Sequence, residues 1–184
     1  TPTDSSAASD VYKRQASGGG SDELFNGGAV DISGFELYLR RILVDNGRIQ
    51  MPFELSWTST NSEFQESFDG FWGEVSKGDE LPYLPDTMIA LNLGLNIDKL
   101  SANISMKKTS EMRTVAGSGS ISESNATDEL TIIDLGMRYA LQDNIRLSVG
   151  INNFMDDEGI AARRPYGARP TMPRSFSLGV DYTF

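Results

Sequence analysis

"SFSLGVDYTF", residues 175–184, closes the chain. Phe176, Leu178, Val180, Tyr182 and Phe184 alternate without a slip with Ser177, Gly179, Asp181 and Thr183. Period two is the side-chain period of a strand, so the stretch predicts one apolar face and one small or polar face. The pattern recurs upstream. Ile145, Leu147, Val149 and Ile151 carry it, as do Ile133, Leu135, Met137, Tyr139 and Leu141. So do Leu100, Ala102, Ile104 and Met106, the run Ile89, Leu91, Leu93, Leu95 and Ile97, and Met51, Phe53, Leu55 and Trp57. A less regular first segment, around residues 29–42, has Phe35, Leu37 and Leu39 on its apolar side. Seven strands are predicted.

The connections alternate in length. "VDNGR" (44–48), "NIDK" (96–99) and "QDN" (142–144) are tight and hold the Asp, Asn or Gly that hairpin turns need. Residues 62–86, 108–129 and 154–173 are long and polar. Short turns at one end and long loops at the other are the rhythm of a transmembrane β-barrel. The faces agree. A water-facing sheet carries many Lys and Glu, whereas the polar positions here are mostly Ser, Asn, Gly and Thr, which suits a wet barrel interior. Seven is odd, and bacterial barrels have an even number of strands, at least about eight. Two open sheet edges in hydrocarbon would each leave a row of backbone groups unpaired, at several kcal/mol per group. The expected fold is therefore an all-β antiparallel meander of about seven strands, an incomplete, open part of a larger transmembrane barrel.

Composition narrows the function. The net charge is -10, which disfavours a nucleic-acid partner. There is no cysteine, hence no disulfide framework or thiolate metal site, and no histidine, the commonest general base and transition-metal ligand. A helical membrane span needs about 20 apolar residues in a row; residues 87–97 are the longest candidate and contain Asn92, Gly94 and Asn96. Residues 1–28, rich in Ser, Gly, Ala and Asp, are expected to be disordered or foreign to the domain, leaving 29–184 as the barrel part.

Two stretches carry a family resemblance. "IRLSVGINNFMDDE" (145–158) ends a strand on Asn153-Phe154-Met155-Asp156, and "ARPTMPRSFSLGVDYTF" (168–184) leads through Pro173-Arg174 into the last strand. With "GFELYL" (34–39), "FELSWTSTNSEF" (53–64) and "LPDTMIALNLGL" (84–95), they resemble the C-terminal end of TonB-dependent outer-membrane receptors, and "ARRPYGARP" (162–170) and "SEMRTVAGSG" (110–119) resemble the ferric-citrate and siderophore receptor-like branch. Thr171 and Met172 depart from the family's Gly-x-Pro-Arg pattern. The resemblance implies a 22-stranded barrel, of which this is the last third. It also implies an N-terminal plug and a TonB-contacting box upstream, neither of which is present here, so this portion by itself is expected neither to transport nor to couple to TonB.

The resemblance implies a location in the bacterial outer membrane and active import of a scarce solute, a ferric chelate, energised by the TonB complex through the plug. It implies partners in outer-membrane lipid, lipopolysaccharide and the barrel-assembly machinery. No cofactor is expected on this portion; the chelate is the ligand of the full-length protein. A passive porin or adhesin-type barrel is the alternative. An enzyme is not expected, because a Ser–His dyad has no His to draw on.

Candidate ligand residues are Arg163, Arg164 and Arg169, three guanidinium groups in the last long loop suited to an anionic chelate. Against this stand pairing with lipopolysaccharide phosphates, with water, or with Asp156, Asp157 and Glu158 in the same loop. Those three carboxylates are themselves expected to be a solvated charge run rather than a hard-metal site. Trp57, Tyr139 and Phe176 are expected in the aromatic girdles. Asp134, Arg138, Arg146 and Asp181 are expected on the interior wall. The family's assembly signal maps onto Phe184, with Tyr182 and Val180 behind it.

Overall fold

The computed structural model describes residues 28–70, 73–164 and 167–184; the segment set aside above, except Gly28, lies outside them. The elements are β1 (Val30–Asp45), β2 (Ile49–Phe64), β3 (Phe68–Gly70), β4 (Gly73–Val75), β5 (Thr87–Ile97) and β6 (Leu100–Thr109). A 3-10 turn (Glu123–Asn125) precedes β7 (Leu130–Gln142), β8 (Ile145–Asn152), β9 (Ile160–Ala162), β10 (Arg169–Pro170) and β11 (Ser175–Tyr182). Seven strands form one antiparallel meander in the order β1-β2-β5-β6-β7-β8-β11. Among the described residues its two outer edges, on β1 and β11, are open.

Register turns the sequence alternation into two continuous faces. One apolar row runs Leu39, Leu55, Leu91, Met106 and Ile133, and the next runs Phe53, Leu93, Ile104, Leu135, Ile151 and Phe176. A third runs Leu95, Ala102, Met137, Val149 and Leu178. No described residue covers them. Phe176 is 73% exposed, Leu178 81% and Val180 66%. Each such side chain gains about 2 kcal/mol on leaving water, so an entire sheet face of them requires an apolar solvent.

The opposite face is small and polar. Gly94, Asn103, Gly136, Gly150 and Ser177 form one row, and Asn96, Ser101, Arg138, Ser148 and Gly179 the next. A Cβ on Gly150 would stand 2.5 Å from Ser177 Oγ, so the bare glycine leaves room for that hydroxyl to lean across the strand.

The tight turns behave as their residues dictate. Asn46 Oδ1 accepts the N–H groups of Arg48 (3.1 Å) and Ile49 (2.8 Å), and Asp98 takes a left-handed conformation, φ 47°.

Three details differ from the sequence expectation. β1 continues past Ile42 to Asp45. Leu141 does not extend the apolar face, because the pairing passes from Ala140 opposite Arg146 to Gln142 opposite Ile145 and leaves Leu141 as a bulge. The long connections also hold two small hairpins, β3–β4 and β9–β10, too short to show periodicity.

The buried core lies at the long-loop end rather than within the sheet. β1 and β2 have 16 residues each, more than the roughly 9–11 that cross a bilayer. Their surplus carries Phe64 into a cluster with Val75 and Leu81, against which Val30, Phe68, Leu84 and Ala116 pack. The β1–β2 register is unbroken from Val30 to Ile42, so Phe64 lies on the same side of β2 as Glu54 and Ser56. The cluster therefore sits on the polar-face side.

Candidate functional site

The three long connections interlock into one crown. The first, between β2 and β5, is fastened to β2: Phe64 N–H donates to Asp79 O (2.8 Å), Gly78 N–H to Phe64 O (2.8 Å) and Leu81 N–H to Ser62 Oγ (3.0 Å). The second, between β6 and β7, is fastened to the first through Arg113. Its side chain is 7% exposed, pairs with Glu80 Oε2 through Nη2 (2.6 Å) and donates to Gly119 O (3.0 Å).

The third connection, between β8 and β11, begins with Asn153. This residue is 3% exposed and left-handed, φ 49°, a conformation Asn tolerates better than other side chains. Its N–H donates to Asp134 Oδ1 (2.8 Å); its Nδ2 donates to Met172 O (2.9 Å) and Asp157 O (3.2 Å); its Oδ1 accepts from Asp157 N–H (2.9 Å). Asp156, also left-handed, accepts from Arg174 N–H (2.8 Å) and pairs with the Arg174 guanidinium (3.3 Å). The two motifs that carried the resemblance, Asn153–Asp156 and Pro173–Arg174, are thus the two ends of one loop, joined at its base.

The carboxylate run is not solvated as a whole. Asp157 Oδ2 accepts from Thr131 N–H (2.6 Å), and Asp156 holds Arg174. Among the described residues no three carboxylates converge as a metal site would require. Sequence reasoning missed the bracing role of Asp156 and Asp157, because their partners lie 18 and 26 residues away.

The three candidate arginines divide. Arg163 donates from Nε to Ala126 O and from Nη2 to Glu123 O (3.0 Å), so it braces the third loop against the second. Arg169 donates from Nη2 to Arg164 O (2.8 Å). Arg164 is exposed, and its guanidinium has no partner among the described residues. None of them pairs with Asp156, Asp157 or Glu158. Tyr83, which the sequence did not single out, joins all three loops. Its N–H donates to Arg113 O (2.8 Å), and its hydroxyl oxygen accepts from the backbone N–H groups of both Arg163 (3.2 Å) and Arg164 (2.8 Å).

Below the crown, the polar face forms a groove of about 910 Å³ whose lining includes Asp134, Arg138, Arg146 and Asp181. Arg146 and Asp181 stand opposite each other in register. On the apolar face Trp57 packs edge-on against Phe35 (5.5 Å) near the long loops, and Phe176 is the second residue of β11 at that end. Tyr139 lies towards the short turns, where Tyr182 packs edge-on against Phe184 (5.0 Å).

The family model for the TonB dependent receptor-like β-barrel matches residues 5–154. No curated protein matches the chain in sequence. Solved structures match in fold. The ferric yersiniabactin uptake receptor FyuA from Yersinia pestis aligns with a TM-score of 0.67 at 15% identity, over 84% of this chain and 24% of its own. The copper transporter OprC aligns with a TM-score of 0.59 at 18% identity, over 84% and 24%. The outer membrane transporter YddB from Escherichia coli aligns with a TM-score of 0.59 at 16% identity, over 84% and 25%. The chain thus spans about a quarter of the length of these transporters.

Proposed function

The chain belongs to the TonB-dependent receptor-like β-barrel family, and from that premise we propose that it forms part of the wall of an outer-membrane receptor that imports a ferric chelate, energised by TonB. The observation that carries this reading is the two-faced sheet under an interlocked crown. An uncovered apolar face suits lipid, a small polar face suits a wet lumen, and three long loops joined over the polar side suit capture of a solute from outside. The similarity to a ferric yersiniabactin uptake receptor supports the cargo class. The open edges of β1 and β11 call for the remaining strands of a 22-stranded barrel, because unpaired backbone groups are too costly in hydrocarbon.

The same reading gives the outer face to lipid and lipopolysaccharide, with Trp57, Tyr139 and Phe176 at the interfaces, and Phe184, Tyr182 and Val180 to the barrel-assembly machinery. Arg164 and Arg169 present charge to the chelate, while Arg163 positions the loop.

The test is uptake of iron-55 supplied as ferric citrate by cells expressing the full-length parent as their sole receptor. Uptake should stop on deletion of TonB or addition of a protonophore. Uptake that persists without TonB would favour a passive barrel instead.

A further inference from the structure

Tyr83 is unusual in two ways. Its φ is 59°, a region that a bulky side chain enters only when held there. Its hydroxyl oxygen sits where two successive backbone N–H groups, those of Arg163 and Arg164, converge at 3.2 and 2.8 Å. Successive amides aimed at one point are how a backbone cradles an anionic oxygen. A neutral phenol is a poor occupant of such a cradle, because hydrogen bonds to an ionised acceptor are roughly twice as strong.

The cradle is built before any ligand arrives. The Arg163 guanidinium is tied to the carbonyls of Ala126 and Glu123, and this fixes the amide of the same residue. Arg169 Nη2 holds the Arg164 carbonyl at 2.8 Å. The Arg164 guanidinium, exposed and without a partner among the described residues, belongs to the same residue as one of the two amides. Tyr83 is tethered by its own N–H to Arg113 O, independently of the hydrogen bonds its hydroxyl accepts.

We propose that the amides of Arg163 and Arg164, together with the Arg164 guanidinium, form a binding site for a carboxylate-bearing ligand, and that the Tyr83 hydroxyl occupies this site as a built-in competitor. Carboxylate entry expels the phenol and unfastens the first long loop from the third. Arg163 is a positioning residue, not a ligand contact. The proposal rests on the reading of the crown as the solute-binding end of the receptor.

The experiment uses the purified full-length parent in detergent, with radiolabelled citrate as the probe in equilibrium dialysis. Tyr83→Phe keeps the ring and removes the competing oxygen, so citrate should bind at least about fivefold more tightly, the worth of one of the two hydrogen bonds that the oxygen accepts. Arg164→Gln should weaken binding about tenfold. Hydrogen exchange of a peptide covering residues 160–164 should quicken in free Tyr83→Phe and slow again on adding citrate. Unchanged or weaker citrate binding in Tyr83→Phe would overturn the proposal, as would exchange at residues 160–164 insensitive to both the variant and citrate. Tighter citrate binding by Tyr83→Phe in a receptor that shows no TonB-dependent uptake would support the site while refuting active transport.

Discussion

Asn153 offers the sharpest test of how the last loop is held. Replacement by Ala acts in two ways. It places an ordinary side chain at φ 49°, which costs roughly 1 kcal/mol more than Asn there. It also removes three hydrogen bonds at a position only 3% exposed: those to Met172 O and Asp157 O, and that from Asp157 N–H. Asp157 O keeps Thr171 Oγ1 as a donor at 2.9 Å, so the real losses fall on Met172 O and Asp157 N–H. A buried group left without a partner costs about 1–3 kcal/mol, so the two losses and the backbone together cost about 3–7 kcal/mol. This acts on the loop rather than on the barrel, which predicts local opening. Hydrogen exchange across residues 157–174 of the full-length parent should accelerate by at least about a hundredfold, since each 1.4 kcal/mol is a factor of ten. Asn153→Gly separates the contributions: it tolerates the backbone conformation but loses the same bonds, so its exchange should be several-fold slower than that of Asn153→Ala. Exchange in Asn153→Ala within threefold of the parent would refute the reasoning.

Three further predictions follow from the same geometry. A Cβ on Gly34 would stand 2.5 Å from the Ser59 carbonyl oxygen, which belongs to backbone and cannot swing aside, whereas on Gly150 it meets only the rotatable Ser177 hydroxyl. Gly34→Ala should therefore cost about 1–3 kcal/mol and Gly150→Ala less than about 1, read from urea unfolding of the folded barrel in lipid vesicles. Leu178→Lys should cost up to about 2–4 kcal/mol and reduce the heat-modifiable folded band on gels, while Ser177→Lys on the polar face leaves that band unchanged. Glu80→Leu strands a buried guanidinium, because the Arg113 side chain is 7% exposed. It should cost about 3 kcal/mol and open residues 110–125 to protease more than Arg113→Leu does, since Glu80 is 40% exposed and recovers water.

The sequence by itself determined the sheet. Alternation is a one-dimensional signal with a fixed period, so Phe176 to Phe184 announced a two-faced strand without reference to any neighbour. The turn residues Asn46, Gly47 and Asp98 marked where the meander reverses, and loop lengths separated its two ends. The apolar face was legible for the same reason: each residue's side follows from its own parity, up to the bulge at Leu141. The crown was not legible. Its contacts join residues far apart in the chain, and no local period records them. Arg163 looked like a ligand residue in a run of arginines; tertiary structure turned its guanidinium onto carbonyls 37 and 40 residues away. Asp156 and Asp157 looked like solvated charge and became braces, while Tyr83 carried no motif at all and became the point where three loops meet. Parity set which face each strand residue occupies; only folding decided which polar groups remain free to meet a ligand.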